Sequence, residues 1–172
     1  GKFGTTISFD QHGSDNSFEF FSPTMSKAVG IKRVIEHYGL DIQDTYAFGD
    51  GLNDIEMIQL CQVGVAMGNA VDELKAKADI INFDAFAFSE HLGLFAQEID
   101  KFLQDGGKLA WGLVPTLDVE ALKNITLADL IKDFGQGIKY LTNKGIDEKL
   151  IIDNSLITSS CGQWHHSCTG RR

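Results

Sequence analysis

The residues best suited to chemistry lie in the stretch Tyr46-Ala47-Phe48-Gly49-Asp50-Gly51-Leu52-Asn53-Asp54-Ile55-Glu56-Met57. Asp50, Asn53 and Asp54 place two carboxylates and a carboxamide within five residues. Oxygen donors of this kind suit a hard cation such as Mg²⁺, which keeps several waters and is shared with a phosphate-bearing partner. An apolar run that stops in Gly, Asp and Asn and resumes at helical spacing predicts a strand, a tight loop and a helix N-terminus. Gly49 and Gly51 let the backbone turn sharply between them. In a parallel α/β sheet, such a loop holds Asp50 in the crevice beyond the carboxyl end of its strand. The same residue types also serve as plain turn and cap residues, so the choice between the two roles falls to the wider sequence.

The string Gly49-Asp50-Gly51-Leu52-Asn53-Asp54-Ile55-Glu56-Met57 resembles the fourth motif of the haloacid dehalogenase superfamily, in particular its Cof-type phosphatases. Upstream, Ser26-Lys27-Ala28-Val29-Gly30-Ile31 is similar to that family's lysine motif, and Val63-Gly64-Val65-Ala66-Met67-Gly68-Asn69-Ala70 is similar to its following strand and turn. The resemblance covers residues 1–81. It implies Mg²⁺-dependent hydrolysis of a phosphorylated small molecule, with Asp50 as a metal ligand, Asp54 supporting the metal or Lys27, and Lys27 and Asn53 at the phosphate. Lys27 falls in the first turn of its helix, where the dipole disfavours a cation, so an anionic partner is expected beside it. The family's nucleophile is an Asp-x-Asp pair, and no such pair occurs in this sequence. The resemblance therefore implies a phosphohydrolase remnant with a partial Mg²⁺ and phosphate site, since losing a nucleophile costs orders of magnitude in rate. The alternative is a folded chimera without activity.

A second resemblance begins beyond residue 83. Gly106-Gly107-Lys108-Leu109-Ala110-Trp111-Gly112-Leu113-Val114-Pro115-Thr116 and Ile157-Thr158-Ser159-Ser160-Cys161-Gly162 resemble the last βα units of the cobalamin-independent methionine synthase-like barrel. This implies a TIM-barrel-like half over residues 83–162 and a zinc-dependent methyltransferase-like fragment, with Cys161 as a zinc ligand. His165, His166 and Cys168 stand close enough in sequence to complete such a site.

The elements that must position these groups follow an α/β pattern. Residues 1–25 predict a β-hairpin, with strands at Phe3–Phe9 and Phe18–Phe21; by resemblance this is a remnant of the mobile cap. Ser26 caps a helix to Tyr38 closed by Gly39. A strand at Thr45–Phe48, a helix at Asn53–Cys61, a strand at Val63–Met67 and a helix at Ala70–Ala78 complete haloacid dehalogenase-like βα units over 26–82. Beyond them come a strand from Ile80, a helix at Glu90–Gln104, a strand at Lys108–Thr116, a helix at Thr126–Asn143 and a strand at Leu150–Thr158. The expectation is about five parallel strands with flanking helices, residues 83–162 continuing the same domain and 163–172 forming a tail.

Composition bounds the rest. The chain has 172 residues, 43% hydrophobic and 23% charged, enough for one good core. A net charge of −9 without a basic cluster argues against nucleic-acid and membrane-surface partners. No membrane span or leader is legible, so a cytoplasmic protein is expected. An incomplete sheet would leave edges open to self-association.

Overall fold

The computed structural model describes residues 8–12, 17–22, 24–85, 89–116 and 119–160. Two strands, β1 (Ser8–His12) and β2 (Ser17–Phe21), pair antiparallel. The main body is a five-stranded sheet of β3 (Tyr46–Gly49), β4 (Val63–Met67), β5 (Ile80–Phe83), β6 (Lys108–Val114) and β7 (Ser155–Ser159). Its strands lie side by side in chain order and every pair is parallel.

Sequential parallel strands joined by right-handed crossovers must carry their connections on one face. That is where the helices lie. α1 (Lys27–Tyr38) packs on α2 (Ile55–Leu60), which lies over β3 and β4; α3 (Asp72–Lys75) follows β4. α4 (Ala96–Gln104), preceded by a 3-10 segment at Ser89–Phe95, links β5 to β6. α5 (Val119–Asn124), α6 (Leu127–Thr142) and α7 (Glu148–Asp153) link β6 to β7. None of the helices among the described residues is long and apolar enough to cross a membrane.

Two apolar clusters fill the space between sheet and helices. One joins Ala47, Ile58, Ala66, Ala70 and Leu74 under α2 and α3, with Ile31 of α1 against it. Cys61 belongs to it as a buried free thiol just past the end of α2. The other gathers Leu103, Leu109, Trp111, Leu113, Leu141 and Ile151 beneath α4, α6 and α7. Close approach of α2 to β4 depends on Gly64: a Cβ there would lie 2.5 Å from Ile58 Cγ2 and 2.6 Å from the Ile58 carbonyl oxygen. The obstacle includes backbone, which cannot swing aside. Gly64→Ala is expected to destabilise by about 1–3 kcal/mol, read as a lower urea midpoint with an unchanged slope.

The helix ends follow their capping chemistry. Ser26 accepts from Val29 N–H and Gly39 closes α1 at φ 63°, while Thr126 and Asp129 form a reciprocal box at the start of α6. The final strand begins later than its apolar residues suggest. Leu150–Asp153 are helical because Asp147 caps that segment through Leu150 N–H and Ile151 turns into the core, so β7 runs Ser155–Ser159. The helix expected over Ala70–Ala78 shortens to α3, and the one expected over Glu90–Gln104 begins as a 3-10 segment. Of the expected strand at Phe3–Phe9, residues 3–7 lie outside the described residues, and β1 continues to His12. Among the described residues the sheet is open, with β3 and β7 as its two edges.

Candidate functional site

The Gly-Asp-Gly loop leaves the carboxyl end of β3 and wraps the side chain of Asp54. Gly49 makes this possible, because a Cβ there would lie 2.5 Å from Asp54 Cβ and 2.8 Å from Asp54 Cγ. The carboxylate sits under the loop at 3% exposure, and its Oδ2 accepts from the N–H groups of Asp50 and Gly51, each at 3.0 Å. Its Oδ1 accepts from Lys27 Nζ, which reaches across from the first turn of α1. The anionic partner expected for Lys27 is therefore Asp54, and half of the Lys27 side chain remains open to solvent.

Burial pushes the Asp54 carboxyl up. The Lys27 hydrogen bond and the Gly51 and Asp50 backbone donors outweigh that, and the group is held below the ordinary carboxylate value of 3.8. Asp54 is thus an anion whose two oxygens are both engaged within the protein. It fixes the loop and the cation, and does not project into solvent as Asp50 does.

Asp50 is exposed at the tip. Its backbone carbonyl accepts from Val71 N–H at 3.0 Å and its Oδ2 accepts from Asn69 Nδ2 at 3.2 Å. Asn69, in the turn after β4, steers the exposed carboxylate. It was not singled out as a site residue from sequence, although the Gly68-Asn69-Ala70 turn after an apolar strand marks the end of a parallel strand where ligands gather. Asn53 is exposed in the short 3-10 segment Leu52–Asp54. Lys27, Asp50, Asn53 and Asp54 are therefore brought to one end of one strand from two local segments, the start of α1 and the 50–54 loop.

Mg²⁺ takes one or two carboxylates and keeps its waters, and the exposed Asp50 fits that demand. Among the described residues no group of three or more His, Cys, Asp or Glu is placed to hold a metal ion. Cys161, His165, His166 and Cys168 lie outside the described residues. Asp50 and Asn69 also form one end of an open cleft of about 1350 Å³ that runs past α3 and α4, with Ile81, Phe83 and Leu109 in its wall. Lys27, Asn53 and Asp54 are not in that wall, so the ion-pair network and the cleft meet only at Asp50.

The first half of the chain is similar to known proteins. YkrA of Bacillus subtilis (strain 168), provisionally named a phosphatase, is 66% identical over 56 residues, which are 33% of this chain and 22% of that protein. The 5-amino-6-(5-phospho-D-ribitylamino)uracil phosphatase YitU of the same organism is 41% identical over 61 residues, 36% of this chain and 23% of its own length. A haloacid dehalogenase-like hydrolase from Bacteroides thetaiotaomicron, known from its crystal structure, is 33% identical with a TM-score of 0.42, covering 47% of this chain and 30% of that one. The chain thus spans less than a quarter of YkrA and of YitU. Residues 2–84 match the model of the haloacid dehalogenase-like hydrolase family, a stretch that includes Lys27, Asp50, Asn53 and Asp54.

Proposed function

We propose that this chain carries the phosphate- and Mg²⁺-binding part of a phosphate monoester hydrolase, without the nucleophile needed for turnover. The observation that carries this reading is the network at the carboxyl end of β3, in which Asp54 holds Lys27 on one oxygen and the Asp50 and Gly51 N–H groups on the other. Asp50 would hold the ion and Lys27 and Asn53 would face the phosphate. Bound Mg²⁺ supplies charge neutralisation to a transferring phosphoryl group. In this reading Lys27, Asp50 and Asn53 bind and orient, and an attacking carboxylate is missing because the sequence has no Asp-x-Asp pair.

Titrating Mg²⁺ in the presence of inorganic phosphate tests this directly. The chain is expected to bind, Asp50→Asn to bind about tenfold more weakly, which is roughly 1.4 kcal/mol, and neither to hydrolyse a generic phosphate monoester. A titration with no Mg²⁺-dependent change in the native chain would sink the reading. Turnover that needs both Mg²⁺ and Asp50 would mean that a nucleophile is supplied from elsewhere.

One observation favours a second reading, that of a folded chimera. The family match stops at residue 84, next to the end of β5, while the sheet continues through β6 and β7. Strands in chain order with helices on one face are also the arrangement of a barrel wall, which supports a barrel-like origin for residues 83–162. In that reading Asp50→Asn alters no binding, and the same titration separates the two.

A further inference from the structure

Asp50 is gripped through its backbone and through one oxygen of its side chain. Its N–H donates to Asp54 Oδ2 and its carbonyl accepts from Val71 N–H, each at 3.0 Å, so the backbone cannot swing to re-aim the carboxylate. The carboxylate Oδ2 accepts from Asn69 Nδ2 at 3.2 Å. A carboxylate only accepts, so the Asn69 amide must turn its nitrogen toward Asp50. Among the described residues Oδ1 accepts no hydrogen bond. The two oxygens of Asp50 are therefore unequal, one engaged and one open.

The support that carries Asn69 is fixed independently of Asp50. The turn after β4 closes where Ala70 N–H donates to the Met67 carbonyl at 2.8 Å, and the Ala70 side chain is buried in the cluster beneath α2 and α3. At Gly68 the turn lies on the end of β5, where a Cβ would meet Phe83 Cβ at 3.0 Å and Phe83 Cα at 3.1 Å. Asn69 itself is exposed, and the cap of α3 is Val71. The Asn69 amide is thus neither core packing nor a helix cap, and its contact is the Asp50 carboxylate.

Resting on the reading of Asp50 as the ion's ligand, we infer that Asn69 is a positioning residue that sets which ion the loop prefers: by engaging Oδ2 it leaves Asp50 one oxygen to offer, which favours Mg²⁺ over Ca²⁺. Mg²⁺ demands a near-ideal octahedron at about 2.0–2.1 Å, and the two oxygens of a single carboxylate span too narrow an angle for it. One oxygen is all that it takes from Asp50. Ca²⁺ takes six to eight oxygens at about 2.3–2.6 Å in a flexible shell and accepts both oxygens of one carboxylate. To offer both, Asp50 must give up the Asn69 hydrogen bond, and that loss falls on Ca²⁺ alone. Partners that orient a metal-ligating group change metal affinity by about 10–100-fold when removed. A single pair at an exposed position belongs at the low end of that range.

Calorimetric titration with Mg²⁺ alone and with Ca²⁺ alone tests this in the native chain, Asn69→Leu and Asn69→Ala, with circular dichroism to establish that both variants, changed at an exposed position, are folded. The native chain is expected to bind Mg²⁺ more tightly than Ca²⁺. In both variants the ratio of the Ca²⁺ to the Mg²⁺ dissociation constant is expected to fall about tenfold, mainly through tighter Ca²⁺ binding. A residue that merely shaped the turn would weaken both ions together and leave the ratio alone. An unchanged ratio in either variant, or a native preference for Ca²⁺, would overturn the role of Asn69 while leaving Asp50 as an ion ligand. A native chain that binds neither ion would overturn both.

Discussion

Replacing Trp111 by alanine is expected to lower the unfolding free energy by about 3–5 kcal/mol, the range for truncating a large aromatic side chain in a packed core. Trp111 is fully buried at the centre of β6. Its ring meets Phe83 edge-on at 5.0 Å and Phe134 at 5.3 Å, so strand β5 and helix α6 both rest on it. Gly137 lets α6 come down onto the ring, since a Cβ there would lie 2.5 Å from Trp111 Cζ3. The indole Nε1 donates to Ser155 Oγ at 2.8 Å, and that hydroxyl donates onward to the Ile151 carbonyl at 2.7 Å, which fixes the turn from α7 into β7. Alanine would leave a cavity between three elements and strip the Ser155 hydroxyl of its donor. Trp111→Phe keeps most of the volume and is expected to cost less, the difference including about 1 kcal/mol for the lost hydrogen bond. Urea unfolding followed by circular dichroism measures both. Equal losses for Ala and Phe would show that the hydrogen bond, not the packing, carries the effect.

Asp54→Ala is expected to cost about 2–3 kcal/mol at neutral pH and to loosen the Gly-Asp-Gly loop. The carboxylate satisfies two backbone donors and an ammonium group. Removing it leaves the Asp50 and Gly51 N–H groups without their acceptor, at about 1–3 kcal/mol for each one that stays buried. Lys27→Met should cost less, about 1 kcal/mol or below, because Lys27 is half open to solvent and screened. The same geometry sets a pH dependence. The folded-state value of Asp54 lies below its unfolded value near 3.8, so its contribution is fully present above that pH and is lost as pH falls through the folded value. The stability difference between the native chain and Asp54→Asn should therefore be constant near neutrality and shrink in acid below about pH 4. A difference that does not change with pH would show that the carboxylate's charge contributes nothing.

Much of the site was legible because its chemistry is local. The glycines at 49 and 51 and the acidic and amide residues at 50, 53 and 54 fall within one turn of chain, so their sequence dictates a strand, a loop and a helix start. Ser26 and Gly39 likewise bound α1 through interactions with their own neighbours. The start of β7 was misplaced for a related reason. Leu150 and Ile151 are apolar enough for a strand, and only the cap at Asp147 together with burial of Ile151 makes them helical.

The amino-acid sequence by itself determined the chemical character of the β3 loop, the alternation of strands and helices, and the absence of an Asp-x-Asp pair. Each depends on residue types a few positions apart. The tertiary structure alone decided that Asp54 turns inward to Lys27, 27 residues away, and that Asn69, 19 residues from Asp50, steers the exposed carboxylate. It alone decided that, among the described residues, the five strands stack in chain order with β3 and β7 as the edges. Those outcomes rest on pairings between distant segments, where the lowest free energy depends on which surfaces meet, and no local pattern of residues specifies that.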